Sequence, residues 1–221
     1  MTDVPPPPPP VGPGPSGAAS PDAGAALTYG WEKFKVHAGV LVAIIVIPVI
    51  VQAALQIIGR FGVDSLLGAL VFGVLSMLVS FIAQLGIFNA GLMLTRGEAP
   101  DIGKVFSTQR WAEWFVFAFV FGLMVGIGAL FCGVGALVVI AFWGLAPYYF
   151  LDQGLGLGDS LRKSLETTRS TPGLPLALAL TALVGYLGVI LCWVGLLVTA
   201  PVAYVGTAFL YRRATGQAVA P

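Results

Sequence analysis

Charged residues are scarce in this sequence. Only 10% of its 221 residues are Asp, Glu, Lys or Arg, and 57% are hydrophobic. A soluble domain carries about a quarter charged residues. Uncharged runs recur along the chain, and each reaches the ~20 residues that a bilayer-spanning helix needs. The composition therefore predicts a polytopic membrane protein rather than a soluble domain.

Residues for metal binding, nucleic-acid binding and common catalytic motifs are also lacking. The chain has two cysteines, one histidine and a net charge of +1, which predicts neither a metal cluster nor a nucleic-acid partner. It contains no phosphate-binding Gly-Lys-Ser/Thr loop, no His-Glu-x-x-His and no Gly-x-Ser-x-Gly. The histidine, His37, follows Lys35 closely and is interpreted as a headgroup contact. We expect no enzyme activity, no cofactor and no metal.

Proline is concentrated at the start of the chain. Residues 1–19 include the run Pro5–Pro10 and are otherwise mostly Gly, Ala and Ser. Proline fixes φ and removes a hydrogen-bond donor, so this composition favours extended polyproline II over a packed fold. We predict a disordered cytoplasmic tail. It either spaces the chain from the membrane or docks onto a cytoplasmic protein that binds proline-rich segments.

Apolar runs predict six transmembrane helices in an all-α protein. No charged residue occurs over the 37 positions from Phe115 to Leu151, a run that two short spans would fill if the glycines at Cys132-Gly133-Val134-Gly135 form a turn. Pro48 predicts a kink near Ile44–Ile47 in the first span. The predicted spans are Ala38–Gly59, Leu66–Thr95, Ala112–Phe131, Val134–Leu151, Leu174–Leu191 and Val194–Leu210.

A short amphipathic segment precedes each pair of spans. Each begins at a residue type that favours helix N-termini, namely Ser20, Asp101 and Asp159. Such segments lie at the membrane interface with their apolar face toward the lipid. The predicted apolar positions are Leu27, Trp31 and Phe34 in the first segment, Ile102, Val105 and Phe106 in the second, and Leu161 and Leu165 in the third.

Basic residues set the predicted orientation. With six spans, Arg60 alone falls on one side and the other ten of the 11 basic residues fall on the opposite side. Because basic residues are enriched in cytoplasmic loops, this places both termini and all three amphipathic segments in the cytoplasm. Arg96 ends the second span. The remaining nine are expected to contact lipid headgroups: Lys33, Lys35, Lys104, Arg110, Arg162, Lys163, Arg169, Arg212 and Arg213.

An internal repeat supports this arrangement. A shift of the sequence by 60 residues places Gly128 on Gly188, and Cys132-x-Val134-Gly135 on Cys192-x-Val194-Gly195. Each predicted unit is an interfacial helix followed by a helical hairpin, as in many membrane proteins with internal repeats. The predicted six-helix membrane domain covers residues 20–214. Its pseudo-repeats are residues 20–96, 100–152 and 159–213, and residues 215–221 form a short cytoplasmic tail.

Two signatures stand out in the second half of the chain. They are Tyr148/Tyr149…Asp152-x-Gly…Asp159-Ser-Leu-x-x-Ser164 and Gly195-Leu-Leu-Val-Thr-Ala-Pro201-Val-Ala-Tyr…Tyr211-Arg212. With them, residues 24–214 resemble bacterial six-helix membrane proteins related to the membrane domain of glycerophosphodiester phosphodiesterases. The resemblance implies six helices and a bacterial plasma-membrane location. Members of that group largely lack an assigned activity, and the phosphodiesterases catalyse their reaction in a separate soluble domain.

Polar residues within the predicted spans mark the candidate sites. Ser76, Ser80 and Gln84 share one helical face of the second span, with Asn89 further round, and Gln52 on the first span is a candidate partner. Such a polar face turns inward, toward either another helix or a polar cavity. At the outer ends of the second and third hairpins, Cys132 and Cys192 form either a disulfide or two buried thiols.

These features favour a non-enzymatic protein with a membrane interaction or assembly role in the cell envelope. Membrane lipids are the expected partners. The alternative is a small-solute or lipid transporter that uses the polar face of the second span. The sequence does not indicate an oligomeric state.

Overall fold

The predicted all-α class is confirmed. The computed structural model of the chain describes residues 21–62, 65–131, 133–190 and 195–221, and the regular structure of these residues is helical throughout. The predicted tail, Ser20, Cys132 and Cys192 lie outside them. The helices are α1 (Ala23–Gly62), α2 (Leu66–Arg96), α3 (Ile102–Val105), α4 (Trp111–Ala129), α5 (Val134–Trp143), α6 (Ala146–Gln153), α7 (Leu157–Ser170), α8 (Leu174–Ile190) and α9 (Leu196–Ala214).

Several helices could cross a membrane. Ala23–Arg60, Leu66–Arg96, Trp111–Ala129 and Val134–Gln153 are each long and apolar enough to do so. Helices α7 and α8 qualify as a fifth span only when taken together, and they are bent by 112° relative to each other. This pattern is typical of a multi-pass membrane protein.

Helix α1 joins the first amphipathic segment to the first span. Its non-helical backbone lies at His37, where φ is −116° and ψ is 23°, whereas the prediction placed a kink near Ile44–Ile47. Pro48 therefore lies inside a helix whose neighbouring dihedrals stay helical, because a membrane helix can absorb one lost hydrogen bond by small adjustments. The change of direction instead falls between the polar segment and the apolar run.

Helix α2 matches its predicted span to within one residue because both ends are capped. At its start the Ser65 hydroxyl accepts a hydrogen bond from Gly68 N at 3.1 Å. At its end Gly97 adopts a left-handed φ of 82°, and its N–H donates to Leu94 O. The 31 residues span about 46 Å, which exceeds the ~30 Å hydrocarbon core.

The second amphipathic segment, predicted as a short helix, is a single helical turn. Asp101 caps α3 as expected, since its carboxylate accepts from Lys104 N at 3.1 Å, but the helix has only four residues. Phe106 packs against Gly86 of α2, where a Cβ would meet the phenyl ring at less than contact distance. Asn89 of α2 donates to Val105 O at 2.9 Å. The segment is thus held against α2.

The predicted fourth span is broken into α5 and α6. Gly133 supplies the expected turn before α5 with a left-handed φ of 77°, whereas the break at Gly144 was not predicted. Pro147 lies in the first turn of α6 and has no N–H for the carbonyl four residues earlier. One residue before that carbonyl, Phe142 O accepts hydrogen bonds from the hydroxyls of Ser164 and Thr168 of α7, at 3.1 and 3.3 Å.

The third amphipathic helix, α7, begins earlier than predicted and packs on small polar side chains. Gly156 is the N-cap, so Asp159 lies in the first turn rather than at the cap. Its buried positions are Ser160, Ser164 and Thr168, and Leu161 and Leu165 of the predicted apolar face are partly exposed. Small side chains on the inner face allow α7 to pack closely against the α5–α6 break.

Helix α9 is central to the packing. It contacts α1, α2 and α8, and its closest approach to α1 requires two glycines. A Cβ at Gly30 would collide with Val202 O, and a Cβ at Gly206 would lie 2.9 Å from Ala26 O. Hairpin-like contacts also join α1 to α2, α4 to α5, and α8 to α9.

The best-packed core lies toward the end of the bundle that carries most of the basic residues. In α2 the buried residues are confined to the segment from Phe81 to Thr95, and its first half is largely exposed. Trp114 is fully buried in this core and donates from Nε1 to Phe81 O at 2.9 Å. The opposite end presents apolar side chains on its surface, as expected for helices surrounded by lipid.

Candidate functional site

A largely apolar cavity lies within the helix bundle. Residues of α2, α4, α5, α8 and α9 line it, and its volume is about 480 Å³. Cavities that hold small molecules have volumes of roughly 300–1,000 Å³. Gly122 and Gly126 of α4 and Tyr186 of α8 line the cavity and are exposed, so the cavity is open to the surface.

Among the described residues that line this cavity, polar groups are few and uncharged. They belong to Gln84, Tyr186, Tyr204 and Thr207. Thr207 donates to Ala203 O of its own helix at 2.8 Å, and its hydrogen-bonding capacity is partly used there. Within the described chain, no protein hydrogen bond involves the Gln84 amide or the Tyr204 hydroxyl. These two groups are therefore free to bond to a ligand.

A second cavity of about 360 Å³ adjoins the first. Gln84 and Tyr204 line both cavities, and Gln52 and Ser80 line the second. Gln52 Oε1 is buried without a hydrogen-bond donor among the described residues. The structure therefore brings Gln52, Ser80 and Gln84 to one cavity.

The other two polar residues considered with this face lie elsewhere. Ser76 lines a third cavity, together with Arg60, at the ends of α1 and α2. Asn89 bonds to Val105 O, which holds α3 in place. Ser80 donates to Ser76 O within α2 at 2.9 Å, the common behaviour of a serine in a membrane helix. The polar face is thus divided among several environments rather than gathered in one continuous polar cavity.

A column of packed aromatic rings connects the first cavity to the basic end of the bundle. Phe88 packs edge-on against Tyr148 and Tyr204, with ring centroids 5.2 Å apart in both pairs. The Tyr148 hydroxyl donates to Tyr204 O at 2.7 Å. Tyr148 then stacks on Tyr211 at 5.7 Å. These four residues tie α2, α6 and α9 together directly beside the cavity.

A buried carboxylate lies at the end of this aromatic column. Asp152, whose side chain is 8% exposed, pairs with Arg96 through one oxygen. The other oxygen accepts from the Tyr211 hydroxyl at 2.8 Å and from Gln217 Nε2 at 3.1 Å. Gln153 donates to the Tyr211 hydroxyl at 3.0 Å. The cluster joins the ends of α2, α6 and α9 to the segment that follows α9.

That final segment is packed against the bundle rather than extended as a tail. Ala220 N donates to Thr95 O at 3.0 Å, and the Tyr29 hydroxyl donates to Ala220 O at 3.1 Å. Lys33 also hydrogen-bonds to Pro221 O. These bonds satisfy a carbonyl at the end of α2 that the helix itself leaves free.

The basic residues that were expected to contact headgroups divide into two groups. Several bind protein atoms: Lys33, Arg110 (to Glu113 and Gly154 O), Arg162 (to Glu166), Arg212 (to Ala218 O) and Arg213 (over the Phe209 ring). Lys35, Lys104, Lys163 and Arg169 are exposed, and within the described chain they form no ion pair. Only this second group is fully available to lipid headgroups.

The described residues contain no cluster of His, Cys, Asp and Glu that could hold a metal ion. The described residues that line the first cavity offer hydrogen bonding and apolar contact, because their polar groups are an amide, two phenols and a hydroxyl. Comparisons with protein-family models, curated proteins and solved structures gave no match to this chain. The resemblance to the phosphodiesterase membrane domain stays a prediction.

The sequence did not single out Tyr204 as a cavity residue or Asp152 as the centre of a hydrogen-bonded cluster. Both belong to the two signatures on which the resemblance rests, and the structure packs those signatures together through Tyr148, Tyr204 and Tyr211. The signal available in the sequence was the number of tyrosines in the two signatures, together with Asp152. This pattern suggests that these side chains share one environment, but it does not give their arrangement.

Proposed function

We propose that the chain is a six-span protein of the bacterial plasma membrane with both termini in the cytoplasm. The charge asymmetry carries this proposal, since ten of the 11 basic residues fall on one side of a six-span arrangement. In this proposal α7 lies along the interface, α8 and α9 form the last hairpin, and α5 with α6 forms one broken span. Fusion of a cytoplasm-dependent fluorescent reporter to either end tests it, and fluorescence from both fusions is expected.

Equivalent contacts in two hairpins support the proposed repeat. A Cβ at Gly128 of α4 would lie 2.7 Å from Ala136 N of α5. A Cβ at Gly188 of α8 would lie 2.7 Å from Leu196 N of α9. Both residues of the second pair lie 60 positions after those of the first, which is the shift that aligns the sequences. The two hairpins thus use glycine for the same close approach.

The function that the geometry favours is a non-enzymatic membrane interaction or assembly role. The observation that carries it is the group of exposed basic residues that have no ion-pair partner among the described residues: Lys35, Lys104, Lys163 and Arg169. Each basic residue near an anionic membrane surface contributes on the order of 1 kcal/mol of attraction. These side chains therefore favour anionic headgroups around the bundle.

Lipid analysis of the purified protein tests this role. The protein is extracted in a mild detergent, and the ratio of phosphatidylglycerol to phosphatidylethanolamine that remains bound is measured by mass spectrometry. Substitution of the four free basic residues by Gln is expected to abolish the enrichment of phosphatidylglycerol over the bulk membrane. Arg110→Gln, which removes a basic residue that is 31% exposed and already bonds to Glu113 and Gly154 O, is the control. An unchanged ratio in the fourfold variant contradicts the proposal.

Lipid or small-solute transport is the second candidate, and the open cavity that contains Gln84 favours it. Reconstituted vesicles with a fluorescent phospholipid distinguish the two roles. A transporter accelerates movement of the lipid between leaflets, whereas an assembly protein leaves the rate equal to that of empty vesicles.

A further inference from the structure

The first cavity, which is lined by Gln84 and Tyr204, has the properties of a binding site for a hydrocarbon chain. Most of its wall is aliphatic or aromatic, and it is bounded by helices α2, α4, α5, α8 and α9. Apolar cavities of this kind exclude water when no polar partners are present. Because the cavity is open at Gly122, Gly126 and Tyr186, a chain from the surrounding lipid has a route of entry.

The absence of charge along the described wall restricts the head group. None of the described lining residues is acidic or basic. An ionised carboxylate or phosphate in this cavity would lose its hydration without gaining a counter-ion, which is strongly unfavourable in an apolar environment. The arrangement therefore selects against fatty acids and phospholipid headgroups, and it favours a neutral ligand.

The free polar groups of the wall indicate which neutral head group fits. Tyr204 offers a hydroxyl, and Gln84 offers an amide with both donor and acceptor atoms. Gln52, in the adjoining cavity, has a buried oxygen with no donor among the described residues. A hydroxyl both donates and accepts, so it can satisfy donors and acceptors alike. A ketone or quinone oxygen only accepts and leaves the acceptors unsatisfied.

We propose that this cavity binds a long-chain alcohol, with the hydrocarbon chain in the apolar space and the hydroxyl at Gln84 and Tyr204. Isoprenoid alcohols and diacylglycerol are two membrane sources of this chemistry. The inference rests on the proposed membrane placement of the helices. It does not rest on the anionic-lipid role, which concerns other residues on the surface of the bundle.

Two glycines allow the cavity to be filled without disturbing the protein around it. A Cβ at Gly122 or at Gly126 meets no atom within 4 Å. Gly126→Leu therefore places a side chain in the space that the ligand chain would occupy. Gly39 of α1 is also exposed with no atom near its Cβ, and it lines none of the three cavities described above. Gly39→Leu is thus the matched control for the same substitution in a helix.

The experiment uses the full chain in phosphatidylcholine nanodiscs. The probe is hexadecanol with a photoreactive diazirine in its chain, compared with hexadecanoic acid carrying the same group. After illumination, the labelled peptides are identified by mass spectrometry. Unlabelled farnesol, diacylglycerol and a quinone compete in separate samples, which distinguishes the two alcohol sources from each other and from an acceptor-only head group.

The alcohol probe is expected to label α4 and α9 near the cavity, and the acid probe to label them weakly. One or two methylenes in an apolar site change affinity by about tenfold or more, so Gly126→Leu should reduce labelling by about that factor while Gly39→Leu leaves it unchanged. Tyr204→Phe should reduce the preference for alcohol over acid. Should Gly126→Leu fail to fold, the double variant Gly122→Ala and Gly126→Ala, which adds only two methyl groups, is expected to reduce labelling too.

Two results overturn the proposal. One is labelling that stays unchanged in both cavity-filling variants. The other is labelling by the acid probe as strong as that by the alcohol. Neither result affects the reporter-fusion test of topology or the phosphatidylglycerol measurement, so failure of this inference is distinguishable from failure of the proposed function.

Discussion

Substitution of Asp152 by Ala is expected to destabilise the protein far more than loss of an ordinary surface ion pair. The carboxylate accepts hydrogen bonds from Arg96, Tyr211 and Gln217, and its side chain is 8% exposed. Its removal leaves these donors at the end of the bundle without their acceptor. The cluster therefore provides a test of whether the ends of α2, α6 and α9 are locked together.

The expected magnitude follows from the environment of each partner. A hydrogen bond to a charged group contributes about 1.5–3 kcal/mol, and breaking a fully buried ion pair costs about 3–5 kcal/mol. Arg96 is 38% exposed, so water replaces part of its interaction after the substitution. We therefore expect Asp152→Ala to lower the free energy of unfolding by about 2–4 kcal/mol.

The control is a second carboxylate–arginine pair in the same chain. Glu166 pairs with Arg162 one helical turn away at 2.9 Å, and the two side chains are 52% and 81% exposed. An exposed pair at this spacing contributes about 0.3–0.5 kcal/mol. Glu166→Ala removes the same kind of group from the same side of the proposed membrane.

Reversible unfolding in mixed detergent micelles, followed by tryptophan fluorescence, measures both substitutions. A double-mutant cycle of Arg96→Ala with Asp152→Ala adds the coupling energy, expected to be about 1–2 kcal/mol. Equal destabilisation by Asp152→Ala and Glu166→Ala, within about 0.5 kcal/mol, would refute the reasoning. The carboxylate would then be a surface group that water satisfies.

Three further predictions concern packing. Gly128→Ala should lower the free energy of unfolding by about 1–3 kcal/mol because its Cβ would lie 2.6 Å from a backbone carbon. Gly122→Ala should raise the free energy of unfolding by roughly 0.5–1 kcal/mol. Thermal unfolding of the two variants tests these opposite signs. Trp114→Phe should cost about 1–3 kcal/mol because Phe81 O loses a buried donor, as chemical unfolding would show. Removal of residues 216–221 should lower Tm while leaving the helix content measured by circular dichroism unchanged, since Ala220 N donates to Thr95 O.

Local signals in the sequence predicted the helix ends that depend on local chemistry. Asp101 caps α3 and Gly133 provides the turn before α5, both as predicted. The ends of α2 lie within one residue of the predicted span, and Ser65 and Gly97 cap them. Each of these features is a residue type with a conformational or capping preference that acts within a few positions. They are therefore readable from a single sequence.

Features that depend on distant contacts were not predictable in this way. The break between α5 and α6 is stabilised by Ser164 and Thr168, more than 20 positions later in the chain. Asp152 finds Arg96 and Tyr211 only after three helices have packed. Hydrophobic periodicity predicts which face of each helix is apolar, but it does not predict which helices pack against that face. The cavity residues, including Tyr204, follow from that packing alone.

Labelling of single cysteines in intact cells tests the central claim most directly. In a background without Cys132 and Cys192, cysteines replace Arg60 and Leu130 at one proposed side, and Lys104 and Glu166 at the other; all four positions are exposed. The account predicts that a membrane-impermeant maleimide labels the first two in intact cells, and the other two only after lysis. Labelling of Lys104→Cys or Glu166→Cys from outside intact cells would contradict the six-span arrangement with cytoplasmic termini.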